Sequence, residues 1–401
     1  TDAVPFLIKH CRSSHNHVSL ISRAEGMMPL DASAKRKVCV LYTGGTMGMQ
    51  RVGARGSLMP VKGYLTQQIR ENIIELKTEN MPSVDVVEFE TLLDSSDIGP
   101  LQWVEIATAI RDRYYDYDGI VVIQGTDTMC YTASALSFML HNLGKPVILT
   151  GSQVPFERTY NDARRNLVVS VMLAGTCDIP EVCIFFNDTL LRGNRSIKID
   201  NTALTAFTSP NFEPLAQLST SIIVNRGRIL PQARGRFRAH LNLVTKVAVL
   251  RLVPGFDDEC VERITTAGSV RAIVLLLYGT GNAPARKSAF LTAIRNAVER
   301  GVVVVAATQC VRGGVELDAY TVGSALKDVG VLGAGDMTTE ATVAKLAFLL
   351  SLDLGKEEFR SAFERSLRGE RSLPARQSSG DTLESKARRE LNIKYVDGAK
   401  L

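Results

Sequence analysis

Two loops in the 401-residue chain set hydroxyl groups among glycines at the end of an apolar run. One is Thr43-Gly-Gly-Thr46, followed by Met47-Gly48; the other is Gly125-Thr-Asp-Thr128. Glycines in such places let a substrate approach the main chain closely. Gly44-Gly45-x-x-Gly48 misses the Gly-x-Gly-x-x-Gly spacing of a dinucleotide loop, and no lysine follows it as a phosphate loop requires. Two readings remain: a tight strand-to-loop turn with a capping threonine, or a hydroxyl nucleophile between exposed N–H groups. Threonine is a poor nucleophile at its ordinary pKa, so the second reading demands a proton acceptor and an oxyanion site. His141 falls inside a helix and His240 in a connector, where packing or solvated roles suit them. A Thr–Lys–Asp arrangement is therefore expected in preference to Ser–His–Asp. Thr126 and Asp127 supply two members, and residue types and spacing leave the lysine open.

The elements that must position these loops alternate between β and α. Lys37–Tyr42, Val84–Glu90, Gly119–Ile123, Pro146–Leu149 and Glu181–Phe186 read as strands. Between them, 65–77, 103–114, 133–143 and about 161–174 carry apolar residues at helical spacing. A second series runs through strands at Lys246–Arg251, Ala272–Tyr278 and Val302–Val305, with helices at about 285–299 and 337–352, the last capped by Asp336. Continuous apolar strands between amphipathic helices imply a parallel sheet covered on both faces. The expected fold is α/β in two domains, each a mostly parallel sheet under helices, with the site at strand C-terminal ends of the first. The expected boundaries are an extension at 1–35, a catalytic domain at 36–230, a Gly-, Pro- and Arg-rich connector at 231–245, a second α/β domain at 246–372 and a polar tail at 373–401.

Composition narrows the function. The chain is 45% hydrophobic and 22% charged, as in a globular protein, and its apolar runs fall short of the ~20 residues a membrane span needs. A net charge of +5 without a basic, aromatic-interleaved block gives no support to nucleic-acid binding. Seven scattered cysteines without a Cys-x-x-Cys pair read as buried apolar residues of a reducing compartment. His10, His15 and His17 lack a second ligand pair at zinc spacing, so no metal is expected. No signal peptide is read at the N-terminus. The expected location is cytoplasmic, with Ala399-Lys-Leu401 approximating a peroxisomal address as the alternative.

Taken together, the motifs resemble the L-asparaginase family, and within it the cytoplasmic type I branch. The resemblance spans about 36–370. It rests on Tyr42-Thr-Gly-Gly-Thr-Met-Gly-Met-Gln50, Leu93-Asp-Ser-Ser-Asp97, Gln124-Gly-Thr-Asp-Thr-Met129, Lys145-Pro-Val-Ile-Leu-Thr-Gly-Ser-Gln153, Arg192-Gly-Asn-Arg195, Tyr278-Gly-Thr-Gly-Asn-Ala-Pro284 and Thr308-Gln-Cys310, in family order. It implies hydrolysis of L-asparagine to L-aspartate and ammonia without a cofactor. Thr46 matches the nucleophile that forms a β-aspartyl ester, Thr126 the second threonine, Asp127 its acidic neighbour and Lys198 the lysine of the triad. Asp94, Ser95 and Ser96 match the loop that grips the α-carboxylate and α-amino groups, with Thr126 and Asp127 beside them. The resemblance also implies a homodimer or homotetramer in which the second domain of one subunit closes its neighbour's site. Neither nucleic acid nor membrane is expected as a partner.

Two departures stand out. Leu58 occupies the place of a loop tyrosine in bacterial members, and Leu276 that of an arginine at an effector site in some cytoplasmic bacterial relatives. Some animal members supply a tyrosine from the second domain instead, and Tyr320 matches it. Two alternatives to a free-standing hydrolase stay open: an asparaginase-like, ammonia-releasing subunit of a tRNA amidotransferase, and a non-enzymic amide sensor. A sensor would be marked by a lost nucleophile or lysine, and both are present.

Overall fold

The structure, a computed structural model, describes residues 35–53, 56–266, 268–284, 288–319 and 321–372. The chain enters through β1 (Lys37–Gly44) and turns into a hairpin of β2 (Met49–Val52) and β3 (Ser57–Pro60). It continues through α1 (Tyr64–Glu71), β4 (Ser83–Leu93), α2 (Pro100–Arg113), β5 (Gly119–Ile123) and α3 (Met129–Met139). A two-residue β6 (Leu140–His141) precedes β7 (Val147–Thr150), α4 (Ala163–Thr176), β8 (Val182–Phe186) and β9 (Thr189–Arg192). The short strands β10 (Ile197–Lys198) and β11 (Phe207–Thr208) pair with each other, and β12 (Ala216–Leu218) and β13 (Ile222–Val224) follow. Eight of these strands build one sheet in the order β13-β12-β9-β8-β7-β5-β1-β4. The run from β4 to β8 is parallel, whereas β9, β12 and β13 add antiparallel.

In the connector, β14 (Arg238–Ala239) pairs with β6 and so lies on the first domain. The second sheet is β15 (Val247–Arg251), β16 (Ala272–Leu277), β17 (Val303–Thr308) and β18 (Leu332–Gly333), all parallel. Helices α5 (Glu259–Thr266), α6 (Ser288–Glu299), α7 (Thr321–Asp328), α8 (Thr339–Leu349) and α9 (Lys356–Glu364) accompany it.

Side chains alternate across the first sheet. Cys39, Leu41, Ile120 and Val122 face a core shared with α2, α3 and α8, whereas Val38, Val40, Val121 and Ile123 face one shared with α1 and α4. The first of these cores continues into Val274, Val305 and Phe348, so α3 and α8 join the domains through one apolar layer. A helix covered on every side must be apolar all round, and every residue of α3 except Tyr131 is buried.

Some expectations shift. The helix expected over 65–77 ends at Glu71, and a 3-10 turn at Ile74–Lys77 takes its place. Helix α3 begins four residues earlier than its spacing suggested and ends at Met139. Thr338 rather than Asp336 caps α8, its hydroxyl accepting from the Ala341 N–H at 3.1 Å. Asp336 is instead held by a guanidinium of the other domain. The cysteines among the described residues are free. Cys11, the three N-terminal histidines, Tyr320 and Ala399-Lys-Leu401 lie outside the described residues.

Candidate active site

Strand order creates the site. From β1 the chain crosses to β4 on one side, then to β5 on the other, which makes the gap beyond β1 and β5 a topological switch point. Such a gap, at the carboxyl ends of parallel strands, is where open α/β sheets bind ligands. The Thr46 turn follows β1, the Asp94–Ser96 turn follows β4 and the Thr126-Asp127 loop follows β5. Three loops far apart in sequence therefore share one edge.

Glycines permit the three loops to touch. Gly44 and Gly45 hold φ of +124° and +86°, a region L side chains rarely adopt. A Cβ on Gly44 would stand 2.2 Å from the Leu93 oxygen, and one on Gly45 the same distance from the Gly125 nitrogen. The Gly45 N–H donates to the Leu93 carbonyl at 3.0 Å, and Thr43 Oγ1 donates to the Ile123 carbonyl at 3.0 Å. The Thr46 turn is thus bolted to both neighbouring loops. Thr46 itself is half-buried, and among the described residues its hydroxyl has no hydrogen-bond partner. A hydroxyl left open in this way is available to a ligand.

The other members are engaged. Lys198 Nζ donates to Thr126 Oγ1 at 2.7 Å and to Asp127 Oδ1 at 2.6 Å. The Thr126 hydroxyl donates onward to Gln153 Oε1 at 3.3 Å. Gln153 is braced in turn, its Nε2 on the Ala203 carbonyl and its main-chain N–H on Asp162. The Lys198 side chain is 15% exposed and that of Asp127 65%, so the ammonium is sheltered and the carboxylate faces solvent. Ser95 is buried, with Oγ accepting the Asp127 N–H at 3.2 Å and its carbonyl accepting the Thr128 hydroxyl at 2.7 Å. Asp94 and Ser96 are exposed, and Asp94 Oδ1 accepts both the N–H and the hydroxyl of Ser96. Leu58 lies exposed on β3 opposite Arg51, and Leu276 packs against the core between the domains.

Helix α3 starts at Met129, so its N-terminal end, with its partial positive charge, lies at this edge. Burial pushes the Cys130 thiol well above its usual range, with Glu340 adding to the shift and Lys198 opposing it. A thiol so held stays protonated and is no rival nucleophile. Burial, then Glu340, raises the Tyr131 phenol to about 12. Asp200 is held below the usual carboxyl range by the N–H groups of Ala203 and Thr202 and the Thr202 hydroxyl. Among the described residues, no three His, Cys, Asp or Glu side chains converge on a metal position.

The structure brings together Thr126, Asp127, Lys198 and Ser95 by direct hydrogen bonds, and brings the Thr46 and Asp94–Ser96 turns to them by main-chain contact. Sequence reasoning missed Gln153 as the acceptor for Thr126. Its signal was present, since it ends the Thr150-Gly-Ser-Gln153 stretch after β7, the next strand along.

Residues 37–230 match the family described as "Asparaginase, N-terminal", and residues 246–363 that described as "Glutaminase/Asparaginase C-terminal domain". L-asparaginase 1 of Escherichia coli K12 is 43% identical over 336 residues, which are 84% of this chain and 98% of that protein. The crystal structure of L-asparaginase I from Vibrio cholerae superimposes with a TM-score of 0.78 at 39% identity, covering 85% of this chain and 100% of that one. One component of the glutamyl-tRNA(Gln) amidotransferase of Aeropyrum pernix is 33% identical over 350 residues, 84% of this chain and 80% of that protein.

Proposed function

The chain belongs to the L-asparaginase family, in its type I branch, and from that premise we propose that it hydrolyses L-asparagine to L-aspartate and ammonia through an ester on Thr46. The observation that carries the mechanism is the placement of Lys198 within 2.7 Å of Thr126 Oγ1 and 2.6 Å of Asp127, on the loop against which the Thr46 turn packs. Asp94, Ser95 and Ser96, with Thr126 and Asp127, seat the α-carboxylate and α-ammonium. Asp127, an exposed carboxylate held beside Thr126 by Lys198, takes the ammonium.

Thr46 Oγ attacks the side-chain amide carbon. Its proton leaves through a neighbouring group, and main-chain N–H groups of the glycine turn hold the oxyanion. Collapse breaks the C–N bond, the nitrogen takes a proton and leaves as ammonia, and a β-aspartyl ester remains. Water then attacks the ester, Thr126 and Lys198 carry its proton, and Thr46 is released with L-aspartate. Tyr320 is assigned the sharing of the Thr46 proton, because Leu58 cannot do so and a phenol both donates and accepts. Membership of this family carries with it a homodimer or homotetramer in which the second domain of one subunit closes its neighbour's site. A cytoplasmic location fits the same branch.

The test is ammonia release by the purified chain from L-asparagine and L-glutamine. Turnover of asparagine well above glutamine is the expected result. Release only with a companion subunit and tRNA would favour the amidotransferase reading, and binding without turnover the sensor reading.

A further inference from the structure

Lys198 stands on a strand of two residues whose sheet partner is an equally short strand. Pairing of that extent is marginal by itself and cannot hold an ammonium to a fraction of an ångström. The stronger hold comes from the buried turn just before it. Arg192 Nη1 donates to the Gly369 carbonyl at 3.2 Å, Asn194 Nδ2 to that of Arg368 at 2.9 Å and Arg195 Nη1 to that of Glu370 at 2.8 Å. Three successive carbonyls of the segment after α9 are thus gripped by three side chains of one turn. Arg195 also forks onto both oxygens of Asp336, at 3.1 and 2.7 Å. Gly369 has φ +74°, and a Cβ there would stand 2.3 Å from Arg192 Nη1, so the segment is shaped against the arginine.

The segment is itself anchored. The Glu370 carboxylate accepts the N–H groups of Leu367 and Arg368, which closes a tight turn, and the ammonium of Lys345 from α8 at 2.5 Å. Lys345 Nζ donates in addition to the carbonyls of Phe363 and Arg365. A continuous path of hydrogen bonds therefore runs from α8 through the 367–372 strap to the turn three residues before Lys198.

We propose that this strap, locked by the Lys345–Glu370 pair and gripped by Arg192, Asn194 and Arg195, is a positioning device that sets Lys198 on Thr126. The proposal rests on the reading of Lys198 as catalytic. Misplacement of a reacting group by about 1 Å costs on the order of 10²-fold in rate. Arg195→Lys keeps the charge and loses the planar fork, so it loosens the turn without creating a buried unpaired anion.

The experiment is a kinetic double-mutant cycle on the whole chain, with ammonia release from L-asparagine followed at steady state. Arg195→Lys alone should lower kcat by about 10- to 100-fold with KM moved by less than about threefold. In a Lys198→Met background the same change should have no further effect, because the device acts through that lysine. Losses that multiply in the cycle would overturn the proposal, as would wild-type kcat in Arg195→Lys. Should Arg195→Lys not fold, Asn194→Ala removes one strap bond and runs the same cycle. Full turnover in Lys198→Met would sink the catalytic reading instead, and the proposal with it.

Discussion

Two lysine–carboxylate pairs sit in this molecule at nearly the same separation. Lys198 meets Asp127 at 2.6 Å and Lys345 meets Glu370 at 2.5 Å. Their surroundings differ in every other respect. Lys345 and Glu370 are 0% exposed, and the three N–H groups of Lys345 are taken by Glu370, Phe363 and Arg365. Burial lowers the Lys345 ammonium to about 8 despite the charge of Glu370. Burial alone would raise Glu370, yet Lys345 and the N–H groups of Leu367 and Arg368 hold it below the usual carboxyl range. Lys198, by contrast, has two partners among the described residues, one of them an exposed carboxylate and the other a hydroxyl at the crevice. Distance between charges therefore does not separate chemistry from architecture. A free donor and a path for substrate do.

The largest effect should fall on turnover. Lys198→Met, Thr46→Ala and Thr126→Val should each lower kcat by ~10³-fold or more. Their urea midpoints should stay close to wild type, since a pair with so exposed a partner contributes about 0–1 kcal/mol. Any of the three retaining a tenth of wild-type kcat would break the contrast. Lys345→Met should act first on folding. It leaves the Glu370 carboxylate buried and unpaired, at a cost of about 3–5 kcal/mol in chemical denaturation. An unchanged midpoint would place that pair among the dispensable ones.

Next in size is Tyr320→Phe, expected to cut kcat by ~10²-fold with little change in stability, as for a lost acid–base partner. Near-normal turnover would return that tyrosine to a packing role. A smaller effect depends on pH. Desolvation would raise the half-buried Asp336 carboxyl, yet the Arg195 guanidinium and Ser372 hold it below its ordinary value. A depressed carboxyl contributes stability that is fully present above the unfolded pKa of about 4 and is lost as pH falls through its folded value. Glu370 shares that sign. Denaturant midpoints should therefore fall on acidification below about pH 4, and fall less steeply in Asp336→Asn, whose midpoint at pH 7 starts lower. Parallel curves would remove Asp336 from the account. The smallest effect tests the rule at one atom. The Tyr42 hydroxyl is buried beneath Gly48 without a hydrogen-bond partner among the described residues. Tyr42→Phe removes an unsatisfied group, so stability should hold or rise by up to about 1 kcal/mol. A clear loss in calorimetry would mean that the hydroxyl has a partner after all.

Much of the architecture was legible in residue patterns. Parallel strands such as Gly119–Ile123 are apolar throughout because both faces are covered, and that pattern stands out in sequence. The antiparallel additions β9, β12 and β13 did not, since strands of three or four residues are too short to display a period. Asp336 looked like a helix cap because Asp often is one. Arg195, distant in sequence, outbid that local role with a two-pronged ion pair, and Thr338 two residues on could cap as well.

The chain alone determined the α/β class, the family, and the residue types at Thr46, Thr126 and Asp127, because glycine-flanked hydroxyls after apolar strands are local features. Tertiary structure decided what those residues could reach. The order of β4, β1 and β5 put three remote loops on one edge, and close glycine contacts pressed them together. It also gave two lysines of the same chemistry different surroundings. Lys198 was delivered to a hydroxyl at an open crevice, and Lys345 to a set of carbonyls that use up its donors. Which partners surround a charge, and whether water and substrate can reach it, are properties of contacts between distant segments, and no local pattern encodes them.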